Sequence, residues 1–150
     1  MQPSPIQLKD MSYIGFKVWA RSLTEDEQAS IDKFDFNDVM IGESINFTAL
    51  GDQDDPESYA VKLRITINNE EGKNAPYDVD VEVAGFFSIS KKVPIADRED
   101  FIVVNGCAIL YGAIRDLVLN LTSRSGNGSL LLPTVNFLDH RNRNKESKSQ

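Results

Sequence analysis

The chain has 150 residues, 41% of them hydrophobic and 26% charged, with a formal net charge of −7. That length predicts a single domain with enough apolar content for a core, and the acidic balance argues against nucleic acid, whose binding is driven by Lys and Arg against phosphate. No apolar run in the sequence approaches the roughly 20 residues of a membrane helix. The first ten residues lack the basic-then-apolar layout of a signal peptide, and one cysteine, Cys107, makes no intrachain disulfide. The expected setting is cytoplasmic.

Residues 6–16 read as a short strand or extended arm. Thr24, with Glu27 three positions on, forms a capping box for a short helix. Phe34, Phe36, Val39 and Ile41 then alternate in part with Asp35, Asn37 and Asp38 in a polar, turn-rich stretch. Residues 45–50 predict a strand, and Gly51-Asp52-Gln53-Asp54-Asp55-Pro56 a turn. Residues 59–67 alternate apolar and polar with period two, the pattern of a half-buried strand. After a hairpin loop over 69–74 the alternation returns, with Asp78, Asp80 and Glu82 against Val79, Val81 and Val83, and Gly85-Phe86-Phe87-Ser88-Ile89 continues it. Successive strand side chains face opposite sides, so the valines are expected against a helix and the acids in solvent.

The chain is organised around residues 102–137. Val103, Cys107, Leu110, Ile114, Leu117 and Leu121 recur at steps of three and four, the spacing of one helical face. Ile109, Ala113 and Val118 widen that stripe, leaving Arg115, Asp116 and Asn120 opposite. Such width predicts burial against more than one neighbour. Ser125-Gly126-Asn127-Gly128 stops the helix, and Pro133 keeps residues 130–137 extended. The end of the chain is basic and polar, with Arg141, Arg143, Lys145 and Lys148 against Glu146, and is expected to be disordered. The division is therefore a domain over 1–138 and a tail over 139–150.

Antiparallel strands followed by a long helix make an α+β domain. Little here can do chemistry. His140 is the only histidine and lies in the tail, Cys107 has no basic partner on its face, and neither a metal-ligand spacing nor a Gly-rich phosphate loop is present. An enzyme, a cofactor and a metal are all unexpected. What remains is a surplus of apolar residues, of which Phe47, Phe86 and Phe87 are expected to fill the core. The others are Phe16, Trp19, Phe34, Phe36, Met40, Phe137 and Leu138. They either fill the core or line an exposed groove for extended polypeptide.

Several of these stretches resemble the SecB family of protein-export chaperones. The resemblance rests on Ile109-Leu110-Tyr111, Arg115-Asp116, Ser123-Arg124 and Leu132-Pro133-Thr134-Val135-Asn136-Phe137, with Lys9-Asp10-Met11-Ser12-Tyr13, residues 59–67 and residues 85–89 in support. Gly112 and Thr134 stand where the family often has proline. The resemblance implies a four-stranded antiparallel sheet with a long helix on one face. It further implies a homotetramer, built as a dimer of dimers, that holds unfolded polypeptides without ATP and passes preproteins to SecA. The groove residues above would bind clients, and Asp10, Asp78, Asp80 and Glu82 would dock SecA. Val79, Val81, Val83, Cys107, Leu110, Ile114, Leu117 and Leu121 would serve the oligomer interface. Ile14 stands where a further family acid would be, the C-terminal helix is shortened, and a basic tail replaces an acidic one. Those departures leave two alternatives open: a SecB-like chaperone dedicated to the antitoxin of a toxin–antitoxin system, and a non-chaperone scaffolding subunit.

Overall fold

The two period-two stretches become the central strands of the sheet, because each supplies one fully apolar face to bury. A computed structural model describes residues 1–68 and 71–140. Its strands are β1 (Ile6–Ala20), β2 (Ile41–Leu50), β3 (Ser58–Ile67) and β4 (Tyr77–Ile89). They form one four-stranded antiparallel sheet in the order β1-β4-β3-β2. Val61, Leu63 and Ile65 of β3 and Val79, Val81 and Val83 of β4 are buried on one face. The opposite face carries Arg64, Asp78, Asp80 and Glu82, and also Phe86, which is 42% exposed rather than in the core because the alternation of β4 turns Phe87 inward instead. Part of the hairpin loop expected over 69–74, namely Asn69 and Glu70, lies outside the described residues, as does the tail from Arg141.

β1 is 15 residues long rather than the short strand expected. Register shifts between Leu8 and Asp10 and between Tyr13 and Gly15 explain the difference. Each extra residue reverses the phase of the side chains, so no single period-two signal runs through the strand.

Between β1 and β2 lie a short helix α1 (Glu25–Ala29) and one 3-10 turn (Ile31–Lys33). After β4 the chain is helical from Ile95 to Thr122: α2 (Ile95–Phe101), a π-helical turn (Ile102–Gly106) and α3 (Cys107–Thr122). At 28 residues this composite helix is long and apolar enough to cross a membrane by length and composition, although no single apolar run is. Here its inner ridge of Cys107, Leu110, Tyr111, Ile114, Val118 and Thr122 is buried. The ridge differs from the expected stripe at its end, where Leu121 is 38% exposed and Thr122 is buried in its place. A run spaced by alternate threes and fours averages 3.5 residues and drifts around a helix of 3.6. The Thr122 hydroxyl is satisfied: it donates to the Val118 carbonyl at 2.7 Å and accepts from the Leu130 N–H at 2.8 Å.

Gly85 sets the distance between helix and sheet. A Cβ there would lie 2.8 Å from both Leu110 Cδ2 and Phe87 Cε2, so Leu110 occupies the space that any side chain would need. The helix has a second neighbour in residues 130–137, which run extended along it. Leu130, Leu132 and Phe137 are buried; Arg115 Nε donates to the Leu132 carbonyl at 3.1 Å, and the Tyr111 hydroxyl donates to the Pro133 carbonyl. Burial pushes the Tyr111 hydroxyl up to about 12. Arg98 of α2, only 3% exposed, staples the helix start to neighbouring turns through Asp55, Pro56, Lys91 and Val93.

Candidate functional site

The segment between β1 and β2 is held by polar fasteners rather than by a core of its own. The capping box is complete: Glu27 N–H donates to Thr24 Oγ1 at 3.1 Å and Thr24 N–H to Glu27 Oε1 at 3.2 Å. The Glu27 carboxyl also receives Arg21, and it is held below the usual carboxylate range first by the Thr24 backbone N–H and then by Arg21. Arg21 Nε donates to the Ala75 carbonyl at 2.7 Å, while Asn127 Nδ2 donates to the carbonyls of Arg21 and Pro76. These bonds join α1, the β3–β4 hairpin and the loop after α3.

Above this frame stand Phe34 and Phe36, edge to face with centroids 5.1 Å apart. The Lys73 ammonium sits 5.1 Å over the Phe34 ring and 3.0 Å from the Asp35 carboxylate. Lys73, and then the Asn37 N–H, lower the Asp35 pKa. Phe34 stands between two lobes of a cleft whose lining mixes apolar and polar residues. A lobe of about 340 Å³ sets Leu23, Ile31, Phe34 and Pro76 beside the polar Glu27, Ser30, Lys33, Lys73 and Asn74. The other, about 410 Å³, is lined by Ile31, Phe34, Phe36, Pro76, Leu130 and Leu131. Leu131 was not among the residues expected here. It is 57% exposed between buried Leu130 and Leu132, so alternation in the extended segment is the signal that points it outward.

The structure does not bring the other expected groove residues to this cleft. Phe137 is a correction: it is 3% exposed, packed against Tyr111 at 5.9 Å, because the extended segment closes over the helix and takes its last aromatic inward. Leu138 is exposed but lines a different groove with Phe101 and Val104. Met40 is exposed, with its Cγ 3.3 Å from where a Gly72 Cβ would stand. Phe16 and Trp19 are exposed on opposite sides of the edge strand β1. Phe16 pairs with Val81 on the helix side, and Trp19 pairs with Asp78 on the outer side.

The outer sheet face is charge-mixed rather than acidic. Asp80 receives Arg64 through two bonds of 2.9 and 2.7 Å, which hold its carboxyl below the usual range, and Lys17 stands opposite it on β1. Arg64 pairs in register with Glu82, and Asp78 accepts from Asn68. Asp10 lies near the other end of β1, opposite Phe86. The expected acidic face is thus corrected by its neighbours across the strands. β3 and β1 contribute cations that the pattern of β4 alone does not reveal.

The residues expected at an oligomer interface divide as well. Val79, Val81, Val83, Cys107, Leu110 and Ile114 are buried within their own chain, between sheet and helix. Burial, with Glu43 adding to it, pushes the Cys107 thiol up to about 12. Leu117 is half-buried; of the expected residues on α3 only Leu121 is exposed, and Ile109 is exposed on another side of the helix. Among the described residues no group of His, Cys, Asp and Glu is placed to hold a metal ion.

Residues 41–147 match the family described as preprotein translocase subunit SecB. The chain belongs to the SecB family. The match covers β2, β3, β4 and the composite helix, and leaves out β1 and the segment carrying α1, so the Lys9-to-Tyr13 run has no counterpart in it. Among solved structures the fold is similar to that of the SecB-like chaperone Rv1957 of Mycobacterium tuberculosis, solved in complex with a ChAD peptide from the HigA1 antitoxin. That similarity has a TM-score of 0.54 at 16% identity and covers 87% of this chain and 90% of the other. A protein of unknown function from Streptococcus agalactiae gives 0.49 at 9% identity, over 86% and 97% of the two chains. No curated protein sequence matches. The SecB-like fold, a four-stranded antiparallel sheet with a long helix, is therefore present.

Proposed function

We propose that this SecB-family protein is an ATP-independent holdase that binds extended, non-native polypeptide in the cleft around Phe34. The observation that carries this reading is the two-lobed cleft around the half-buried Phe34. Its lobes, about 340 and 410 Å³, share Ile31, Phe34 and Pro76, and each falls within the roughly 300–1,000 Å³ of ligand sites. An extended chain laid across it buries side chains in turn, with little demand on their sequence. Nothing in such binding calls for a nucleotide or a covalent step, which fits a non-enzymatic role.

The assembly in this reading is a homotetramer of paired dimers in the cytoplasm. Its support is the apolar surface left on one protomer: the exposed Ile109 and Leu121 of α3, and Phe16 on the edge strand β1. Such a surface on a soluble protein marks a contact site.

Two destinations for the client remain. Delivery of preproteins to SecA would use Asp10, Asp78, Asp80 and Glu82. Dedication to an antitoxin is favoured by a specific observation, the neutralisation of Asp80 by Arg64. The Mycobacterium tuberculosis relative, solved with an antitoxin peptide, adds to it. The test is protection of an unrelated unfolded protein from aggregation at stoichiometric amounts without nucleotide. Protection is expected, together with its loss in Phe34→Ser/Phe36→Ser. No protection by the unmodified tetramer would leave the scaffolding subunit as the better account. SecA titration of the unmodified protein and of Asp80→Lys then separates the two destinations: salt-sensitive binding lost in the variant supports export, and no binding supports the antitoxin reading.

A further inference from the structure

The two lobes of the cleft share their apolar floor but differ in the charges at their walls. The 3-10 turn Ile31–Lys33 contributes to both: Ile31 is common to them, Lys33 lines the smaller lobe and Asp32 the larger. Which of these charges is already compensated decides what each lobe attracts.

Among the described residues lining the smaller lobe the only carboxylate is Glu27, and both of its oxygens are taken: Oε1 accepts from the Thr24 N–H and Oε2 from Arg21. Lys73 gives two of its three N–H groups to Asp35, one to the carbonyl at 2.9 Å and one to the carboxylate at 3.0 Å. One N–H remains, on an ammonium held in place over the Phe34 ring. Lys33 makes no salt bridge among the described residues. The balance of the smaller lobe is therefore positive. Among the described residues lining the larger lobe there is no lysine or arginine, and Asp32 has no salt bridge among the described residues either.

We propose that the cleft selects by charge as well as by apolarity. An extended client segment seats an acidic side chain in the smaller lobe, on Lys33 and the remaining Lys73 N–H, and lays its apolar residues on Phe34 and Ile31. A basic or neutral residue then falls in the larger lobe beside Asp32. This inference rests on the client-cleft reading and names the class of segment taken: an apolar stretch bounded on one side by a carboxylate. The net charge of −7 by itself favours basic peptides. At about 0.15 M salt, however, exposed charges more than about 8 Å away are largely screened, so the groups lining each lobe outweigh the distant acids.

Fluorescence anisotropy on the full-length protein tests it with dye-labelled peptides sharing a leucine–serine–phenylalanine–serine–leucine centre. One end carries two aspartates, two lysines or two serines, the other end two serines, and each peptide is made in both orders so that either chain direction is sampled. At about 0.15 M salt the aspartate peptide in its better order should bind about two- to five-fold more tightly than the serine peptide, the range that an exposed ion pair allows. The lysine peptide should prefer the opposite order. The aspartate advantage should vanish in Lys33→Glu, and also in about 1 M salt, where the Debye length shrinks to about 3 Å. No aspartate advantage in the unmodified protein, or one that survives Lys33→Glu, would overturn the inference. The two readings fail differently. If no peptide binds, or if Phe34→Ser/Phe36→Ser leaves every affinity unchanged, the cleft is not the client site and both fall. If that variant weakens all the peptides while Lys33→Glu leaves their ranking unchanged, the cleft stands and the charge assignment alone is wrong.

Discussion

β4 and the segment between β1 and β2 both place aromatic or branched apolar residues beside acids, yet they use them in opposite ways. On β4 the alternation is unbroken over Tyr77–Val83: valines and Tyr77 are buried on one side, and the acids stand on the other. In the second segment Phe34 and Phe36 are only half-buried, and hydrogen bonds and ion pairs from Arg21, Lys73 and Asn127 hold the chain in place. Apolar side chains whose fold is secured by other means stay available for a partner. Those that secure the fold themselves do not.

The largest effect expected from this contrast is at Val81. It is fully buried between β3, β1 and the helix, worth roughly 1.5 kcal/mol or more as a valine. An unpaired carboxylate there costs several kcal/mol, a large share of a total stability of about 5–15 kcal/mol. Val81→Asp should unfold the protein or break its assembly, and denaturant titration with sedimentation measures both. A stable, assembled Val81→Asp would remove the distinction between the two regions.

Next comes Gly85→Ala, which places a methyl 2.8 Å from Leu110 and Phe87. Overpacking of this kind costs about 1–3 kcal/mol. The shift in denaturation midpoint should shrink when Leu110 is also shortened to Ala, since the pair shares one space. Equal shifts in both backgrounds would show that the helix does not set this limit.

Smaller still is the effect of Phe34→Ser or Phe36→Ser on stability, about 1 kcal/mol each for half-buried rings. Client protection should fall much further than stability does. A loss nearer the roughly 3–5 kcal/mol of a deleted core phenylalanine would move these rings into the core and erase the contrast.

The smallest is a pH effect confined to the fastened segment. Glu27 and Asp35 have folded pKa values below their ordinary ones. Their contributions are therefore complete only above their ordinary values, at about pH 5 and higher, and are lost as pH falls through the depressed folded values. A fluorine label on Phe34 should broaden below about pH 4 while the β3–β4 amides keep their dispersion. Simultaneous change in both would mean that the segment and the core open as one unit.

Much of this molecule was legible before its coordinates. Period two in residues 59–67 and 77–83 names both strands and their buried faces, because a strand offers only two sides. Thr24 and Glu27 name the start of α1, since a capping box is a local arrangement closed within four residues. The run from Leu132 to Phe137, with the helix before it, carries the family. Local chemistry suffices wherever the partner groups lie a few residues apart.

Tertiary structure decided the rest, for reasons of distance along the chain. The bulges of β1 arise from its pairing with β4, and they hid the length of that strand from any period count. The π-helical turn shifts the phase of the composite helix and so concealed its true start at Ile95. Arg64, 16 residues from Asp80, turns an acidic strand face into a mixed one. Leu131 meets Phe34 and Phe36 in one cleft only because the chain returns across the helix end after nearly a hundred residues. Phe137 is buried by the same return. A side chain's period can say which way it points from its own element, whereas what it meets there depends on elements that the sequence does not place beside it.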